Sequence, residues 1–363
     1  MTAFHRVSIH GAVQRQALTL SADYYTASEI FDQETQRIFY KHWICVGRSE
    51  QISEPGDYFL AQIGQENLII LRDSQGSGRA FFNICRHRGT RLCRQAQGHL
   101  VETIRCPFHG WTYSLEGELR SARREGSPVA GLPAENNPLF ACALYEWEGF
   151  IWVNLASNPA PFTQTFAPLL HQFSPWQLAN LHLGQQISYD VQANWKLIFQ
   201  TYFDRFYRAS ATLRSLALGE GAFLGTSAPL GFAALPERYC SSAMSLQRPP
   251  LPGVQGENCL RAYYYSLFPT MLLSLHPTYA IAHRLYPQSA TQTRVVCEWL
   301  FDHATARRPD CAEAIEAWNS KNRRDWQACE QMQQRLARGT THRPATSTAF
   351  DREYLRVLGK RSI

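Results

Sequence analysis

Hydrophobic and polar residues alternate differently in three parts of the chain. Residues 1–45 form an N-terminal arm, and the apolar spacing within it predicts helix from residue 20 onwards. Short apolar–polar alternations between turn residues fill positions 46–155, a pattern typical of a small antiparallel β domain. After a proline-containing linker at 156–161, residues 162–363 mix helical and strand patterns.

The second half of the chain is predicted to be an α+β domain. One helix is expected over Ala193–Arg208, and a longer one over Ala312–Ala337. Between them, apolar runs at positions 261–301 predict four antiparallel strands. Helices that flank such a run of strands indicate an α+β fold. The residues from Gly339 onwards are expected to be loosely structured.

Composition narrows the possible classes of protein. The chain has 363 residues, of which 45% are hydrophobic and 12% aromatic, and this apolar content argues against a disordered chain. The net charge of +6 is small for this length and scattered, which argues against nucleic-acid binding. No apolar run reaches the ~20 residues of a membrane span, and the first residues lack the apolar core of a signal peptide. We therefore expect the ten cysteines to be reduced thiols or metal ligands in a cytoplasmic protein.

Cysteine and histidine recur together at two places in the predicted β domain. Cys85 and His87 stand in one turn between strands, and Cys106 and His109 stand in another. Two thiolates and two imidazoles suit either a tetrahedral zinc site or a Rieske [2Fe–2S] cluster, in which one iron takes both cysteines and the other both histidines. Zinc sites with this ligand set usually pair Cys with Cys and His with His along the chain. One Cys and one His in each turn therefore favour the cluster, with zinc as the alternative.

The motifs around these four residues resemble those of the large (α) subunit of Rieske non-haem iron oxygenases, in the branch that hydroxylates rings or attacks quaternary amines. The resemblance is strong over residues 20–155 and more diffuse beyond them. It implies an N-terminal all-β Rieske domain over 46–155, followed over 162–363 by a helix-grip (START-like) α+β domain that in this family carries a mononuclear Fe(II). It rests on the runs His42-Trp43, Gly56-Asp57-Tyr58, Arg72-Asp73, Asn83-Ile84-Cys85-Arg86-His87-Arg88-Gly89 and Cys106-Pro107-Phe108-His109-Gly110-Trp111-Thr112-Tyr113.

The same resemblance places the mononuclear iron on the helix predicted near residue 200. The Asn-Trp-Lys sequence that begins the family's iron-binding helix is present as Asn194-Trp195-Lys196. Asp204 stands where the family has the acidic residue that links a neighbouring subunit's cluster to the iron. Tyr207 and Thr212 stand at the positions of the two iron-binding histidines. A tyrosine binds iron well only as a phenolate, although its ordinary pKa is ~10, and a threonine hydroxyl is a weak ligand. The resemblance therefore predicts a degenerate mononuclear site.

Asp325 matches the carboxylate ligand of the family. It lies on the mostly apolar face of the helix predicted over Ala312–Ala337. A carboxylate on such a face needs either a metal ion or a hydrogen-bond partner on the facing element, and both interpretations stay open. His276 and His283 are not expected to replace the missing ligands, because a separation of seven residues along a strand puts them on opposite faces.

Three functions fit these patterns. The first is a non-catalytic or electron-transferring subunit that accepts electrons on its [2Fe–2S] cluster from an NAD(P)H-dependent flavin or ferredoxin reductase. This chain would belong to a trimeric homo- or hetero-oligomer, beside an active paralogue. The second is an active mono- or dioxygenase that hydroxylates or demethylates an aromatic or amine substrate through unusual iron ligation, and the third is a redox-sensing module that binds an apolar ligand. The replaced histidines favour the first.

Overall fold

Two regions of different architecture follow one another along the chain. The first consists of small antiparallel sheets, and the second combines a six-stranded sheet with long helices. This mixture confirms the predicted α+β class. The computed structural model describes residues 20–122, 137–202, 234–238, 249–303, 309–339 and 348–360, without the side chains of 234–238, 309, 310, 348, 349 and 352.

The N-terminal arm is helical within its described part. Helices α1 (Asp23–Thr26) and α2 (Ser28–Glu34) are followed by a π-helical turn over Thr35–Phe39. Phe39 is buried, and its ring packs edge-on against that of Trp195 with 5.5 Å between the centroids. The arm therefore packs against the second region of the chain.

Ten short strands within the described residues 44–122 and 137–154 form the first region. They are β1 (Ile44–Arg48), β2 (Asp57–Ile63), β3 (Glu66–Arg72), β4 (Gly78–Phe82), β5 (Gln97–His99), β6 (Thr103–Arg105), β7 (Thr112–Ser114), β8 (Leu119–Ser121), β9 (Ala143–Trp147) and β10 (Phe150–Asn154). Three antiparallel sheets result, with strand orders β4–β3–β2–β5, β6–β7–β8 and β1–β10–β9. Four consecutive buried residues of β3, Leu68 to Leu71, mark the centre of the largest of these sheets.

One antiparallel sheet of six strands dominates the second region. Its strands are β11 (His182–Val191), β12 (Ala234–Arg238), β13 (Arg261–Leu267), β14 (Met271–Leu275), β15 (Ala280–Ser289) and β16 (Gln292–Phe301). The strand order is β11–β16–β15–β14–β13–β12. The helices are α3 (Phe162–Thr165), α4 (195–202), α5 (Pro309–Ala337) and α6 (Thr348–Val357), and short 3-10 turns lie at Ser49–Ile52, Ser174–Trp176, Leu178–Asn180 and Gly256–Leu260.

The sequence prediction for this region is correct for its strands within 261–301 and for α5, but it lacks β11, β12 and α3 and fails at the end of the chain. The four strands predicted within 261–301 are present as β13 to β16. Helix α5 begins at Pro309, because proline suits the first turn of a helix, where its missing N–H costs nothing. The prediction of a loosely structured tail is wrong, since α6 forms there and buries Tyr354 and Leu358. The predicted end of α4 at Arg208 lies outside the described residues.

A buried network of polar groups joins the arm, α4 and α6. The carboxylate of Glu34 accepts hydrogen bonds from the Lys196 ammonium, from the Tyr354 hydroxyl and, at 2.8 Å, from the indole N–H of Trp195. The side chains of Glu34 and Lys196 are both fully buried. The start of α4 is further capped by Asn194, whose side-chain oxygen accepts the Lys196 N–H at 3.0 Å. These contacts fix where α4 enters the second region.

A membrane-spanning helix needs about 20 consecutive, predominantly apolar residues. Among the helices of the described ranges, none is both long enough and apolar enough to cross a bilayer. The cytoplasmic location and the absence of nucleic-acid binding stay predictions.

Candidate metal centres

Two turns of the first region share the same backbone hydrogen bonds, although their sequences differ. In one turn the N–H of Gly89 donates to the carbonyl of Cys85 at 2.9 Å, and in the other the N–H of Gly110 donates to the carbonyl of Cys106 at 3.1 Å. The two glycines have φ angles of +70° and +71°, which residues with a Cβ rarely adopt. The equal spacing from cysteine to glycine in CRHRG and CPFHG therefore folds the two turns alike.

The four predicted cluster ligands lie as one pair of imidazoles and one pair of thiols. The Nδ1 atoms of His87 and His109 are 3.1 Å apart. Cys85 and Cys106 are buried, and their thiols contact each other. Within the described ranges, no three His, Cys, Asp or Glu side chains surround a single point. The two pairs fit a binuclear cluster with one pair on each iron, whereas tetrahedral zinc needs all four ligands around one ion.

Neighbouring groups hold both pairs in place. The hydroxyl of Tyr113 lies 3.3 Å from the Cys85 sulfur and accepts the backbone N–H of Arg86 at 3.1 Å. Burial raises the pKa of Tyr113, so the phenol stays protonated and can donate to the sulfur. Trp111 stacks on the ring of His87, with 4.9 Å between the centroids. The thiol side of the centre is therefore enclosed by protein, while the imidazoles remain half-buried.

A second candidate centre lies between α4 and α5. Asp325 of α5 is half-buried there, beside a cavity of about 10 Å³. The hydroxyl of Tyr202 hydrogen-bonds with that of Ser274 at 2.7 Å, and burial raises the pKa of Tyr202, so its phenol stays neutral. The cavity is lined by Thr201, Tyr202, Trp318, Lys321, Asn322, Asp325 and Trp326.

His276 and His283 both face α5, so the prediction that they lie on opposite faces is wrong. The ring of His276 lies 5.5 Å from that of Trp318, and the ring of His283 lies 6.0 Å from that of Trp326. A turn, closed by a hydrogen bond from the His276 N–H to the Tyr279 carbonyl, interrupts the strand between them. Because the turn resets the alternation of side chains, counting residues along one strand fails here.

Two family matches cover most of the chain. Residues 42–134 match the family described as "Rieske [2Fe-2S] domain". Residues 178–354 match the family described as "Ring hydroxylating alpha subunit (catalytic domain)". The chain belongs to the Rieske oxygenase α-subunit family. Membership confirms the resemblance, the all-β domain followed by an α+β catalytic domain, the oxidoreductase class and the [2Fe–2S] cofactor.

Two curated relatives of this Rieske oxygenase chain are named for quaternary amines. It is 35% identical over 182 residues to the glycine betaine monooxygenase oxygenase subunit of Chromohalobacter salexigens, a match that covers 50% of this chain and 40% of the relative. It is 32% identical over 194 residues to the carnitine monooxygenase oxygenase subunit of Acinetobacter baumannii, covering 53% of this chain and 52% of the relative. The chain thus spans about half the length of the curated relatives it matches.

Solved structures of Rieske oxygenases share the fold. The apo form of the quaternary ammonium Rieske monooxygenase CntA superposes with a TM-score of 0.73 at 22% identity, covering 94% of both chains. Naphthalene 1,2-dioxygenase from Rhodococcus sp. superposes with a TM-score of 0.67 at 18% identity, covering 93% of this chain and 94% of the other. At these identities the likeness concerns the fold alone.

The structure brings together only some of the predicted site residues. It places the two cysteines of the cluster motif against each other, the two histidines against each other, and Asp325 beside a cavity. Asp204, Tyr207 and Thr212 lie outside the described residues. Sequence analysis missed Lys321, which lines the same cavity as Asp325. The available signal was its position four residues before Asp325, which puts both on one face of the helix.

Acid is expected to destabilise the Rieske oxygenase chain through its two buried histidines. Burial, aided by the charge of Lys321, lowers the pKa of His276 to about 3, and burial lowers that of His283 to about 4. An unfolded histidine has a pKa of about 6.5, so between pH 6.5 and 4 the unfolded chain binds protons that the folded chain does not. The free energy of unfolding should therefore decrease by about 1.4 kcal/mol for each unit by which the pH is lowered in this range, for each histidine.

Denaturant unfolding at several pH values measures this effect. His283→Gln is expected to reduce the slope of the free energy of unfolding against pH by the contribution of about one proton. His171→Gln, at an exposed histidine, is the matched control and should leave the slope unchanged. An identical slope in the wild type and the His283 variant would show that His283 does not contribute.

Proposed function

We propose that this chain accepts electrons from a reductase on its [2Fe–2S] cluster and works in the oxidation of a quaternary or methylated amine. The pairing of Cys85 with Cys106 and of His87 with His109 carries the proposal. Two thiolates would hold one iron of the cluster and two imidazoles the other. Both thiols are buried and both imidazoles only half-buried, which supports electron entry from the histidine side.

The names of the relatives favour an active oxygenase over a non-catalytic subunit. These relatives are called oxygenase subunits of glycine betaine and carnitine monooxygenases, and a third is called choline monooxygenase, from Beta vulgaris. The three compounds in these names share a trimethylammonium group. The first candidate is therefore a monooxygenase that uses O2, two electrons and two protons to oxidise such an amine in its own catalytic domain.

The second candidate is an electron-transferring subunit beside an active paralogue. Tyr207 and Thr212, at the positions where the family has iron-binding histidines, favour it. The buried Lys321 beside Asp325 favours it as well, because an ammonium and a divalent metal ion repel each other. In a hetero-oligomer the cluster of this chain would supply electrons to the iron of a neighbouring subunit.

Turnover by the isolated chain separates the two candidates. The purified chain is supplied with a flavin or ferredoxin reductase, NADH and O2, and is tested with glycine betaine, carnitine and choline in turn. Oxidised amine in proportion to NADH consumed supports the first candidate. A reduced cluster without product, and product once a paralogue with both histidines is added, supports the second. A cluster that no reductase reduces contradicts the proposal as a whole.

The reductase is expected to approach a basic surface beside the cluster. Arg88, Arg91 and Arg94 are exposed there, whereas the guanidinium of Arg86 lies 3.8 Å from the centroid of the Phe140 ring. A cluster of exposed positive charges attracts an acidic partner protein and speeds its association. Replacing the three exposed arginines by glutamine should slow reduction about tenfold at low salt and flatten its salt dependence. Stopped-flow reduction over a salt series measures this, and equal curves for both proteins would assign these arginines to another contact.

The hydroxyl of Tyr113 is expected to raise the reduction potential of the cluster. It lies 3.3 Å from the Cys85 sulfur, and hydrogen bonds to the sulfurs stabilise the reduced, more negative cluster. Tyr113→Phe should therefore lower the potential by an amount on the order of tens of millivolts. Tyr58→Phe is the control, because Tyr58 contacts Cys93 instead. Redox titration of the visible spectrum measures both, and an unchanged potential in Tyr113→Phe would contradict the assigned hydrogen bond.

A further inference from the structure

The cavity beside Asp325 contains a positive charge that belongs to the protein. Lys321 precedes Asp325 by four residues on α5, one turn of the helix, and both side chains line the cavity. Lys321 is only 6% exposed, and its Nζ lies 4.0 Å from the centroid of the Trp318 ring. An aromatic face and a nearby carboxylate both stabilise an ammonium in such a place.

The groups around this cavity do not fit the mononuclear iron of the family. A non-haem Fe(II) of this type takes two neutral imidazoles and one carboxylate and keeps positions open. The described lining offers the Asp325 carboxylate but no imidazole, and the hydroxyl of Tyr202 is hydrogen-bonded to Ser274. The sequence has Tyr207 and Thr212 at the positions of the two histidines.

Charge also opposes a metal ion here. The charge of Lys321 helps to lower the pKa of both His276 and His283, behind the larger effect of burial, so it reaches side chains that pack against α5. The Lys321 charge would repel a divalent ion beside Asp325 twice as strongly as a singly charged cation at the same place.

We infer that Lys321 takes the place of the mononuclear iron in this chain: its buried ammonium is a fixed positive charge in the lining that also contains Asp325, and it excludes Fe(II) from the cavity. The inference rests on the second candidate function, because a chain without this iron must pass its electrons to another subunit. The inference adds a second cause to the loss of the two histidine ligands, since it requires that restoring both histidines alone does not restore metal binding.

Four variants of the full chain test this inference. They are the wild type, Tyr207→His/Thr212→His, that double variant with Lys321→Met, and that double variant with Lys360→Met as the control for losing an exposed lysine. Each is reconstituted anaerobically with iron and sulfide and then titrated with Fe(II). Iron beyond the sulfide-bound amount is counted, and the EPR signal with nitric oxide reports mononuclear Fe(II).

Only the variant that lacks Lys321 is expected to bind the additional iron. The wild type, the double histidine variant and the Lys360 control should show no nitrosyl signal, and the Lys321 triple variant should approach one additional iron per chain. Additional iron in the wild type, or equal Fe(II) affinity with and without Lys321, would overturn the inference. A folded triple variant that stays empty would overturn it too, and Lys321→Gln replaces Lys321→Met if the latter does not fold.

The same samples separate this inference from the proposed function. Sulfide content and the visible spectrum report the cluster independently of the cavity beside Asp325. Missing sulfide would contradict electron acceptance on a [2Fe–2S] cluster, whereas additional iron in the wild type with sulfide intact would contradict only the role of Lys321.

Discussion

Cys106→Ala is expected to abolish the cluster, with loss of its visible absorption, its acid-labile sulfide and its reduction by a reductase. Cys106 and Cys85 are the two thiols that contact each other in these turns, so the substitution leaves their iron with one cysteine ligand. The same result is expected for alanine at Cys85, His87 or His109. Visible spectra and sulfide analysis after anaerobic reconstitution measure the loss, and circular dichroism shows whether the catalytic domain still folds.

Cys93→Ala is the matched control for these substitutions. Cys93 is a buried thiol close to the cluster turns in sequence, but its side chain contacts Tyr58. Burial raises the pKa of Cys93 to about 11, so it remains a neutral thiol. This variant should keep the full spectrum. A Cys106→Ala protein with an unchanged spectrum would contradict the ligand assignment, as would a Cys93→Ala protein that has lost the cluster.

Glu34→Gln is expected to lower the free energy of unfolding by about 3–5 kcal/mol, the usual cost of leaving a buried charge without its partner. Glu34 and Lys196 form a fully buried ion pair, and burial already lowers the pKa of Lys196. The substitution also weakens the contact with Tyr354 that holds α6. Urea unfolding followed by circular dichroism measures the change.

Two further variants show whether the buried charge is the cause. Glu34→Gln/Lys196→Met removes both charges and should recover most of the lost stability. Asp190→Asn breaks the pair with Arg294, in which both side chains are 55% exposed, and should cost at most about 1 kcal/mol. If Glu34→Gln cost no more than Asp190→Asn, the network would not fix the arm and α4 as described.

The cluster turns could be predicted because the information that forms them is local. Each turn needs a cysteine, a histidine and a glycine within five residues, and the strands on either side alternate visibly. The long α5 was predictable for the same reason, since its apolar face repeats every three or four residues. The family matches at 42–134 and 178–354 overlap the predicted domains, whose boundaries stay predictions.

Features that depend on distant contacts could not be predicted. Helix α6 is held by the bond from Tyr354 to Glu34, which are 320 residues apart in the sequence. The common orientation of His276 and His283 depends on a turn that interrupts an otherwise continuous strand pattern. Lys321 looks like a solvent-exposed lysine in the sequence, and only the packing of α5 shows that it is buried.

Counting iron and acid-labile sulfide in the wild-type chain tests the central claim most directly. The chain is reconstituted anaerobically, desalted, and analysed for iron, zinc and sulfide, with EPR of the reduced sample. We predict about two irons and two sulfides per chain and the EPR signal of a [2Fe–2S] cluster with mixed histidine and cysteine ligands. One zinc per chain without sulfide would contradict the account, because the paired thiols and imidazoles would then surround a single ion.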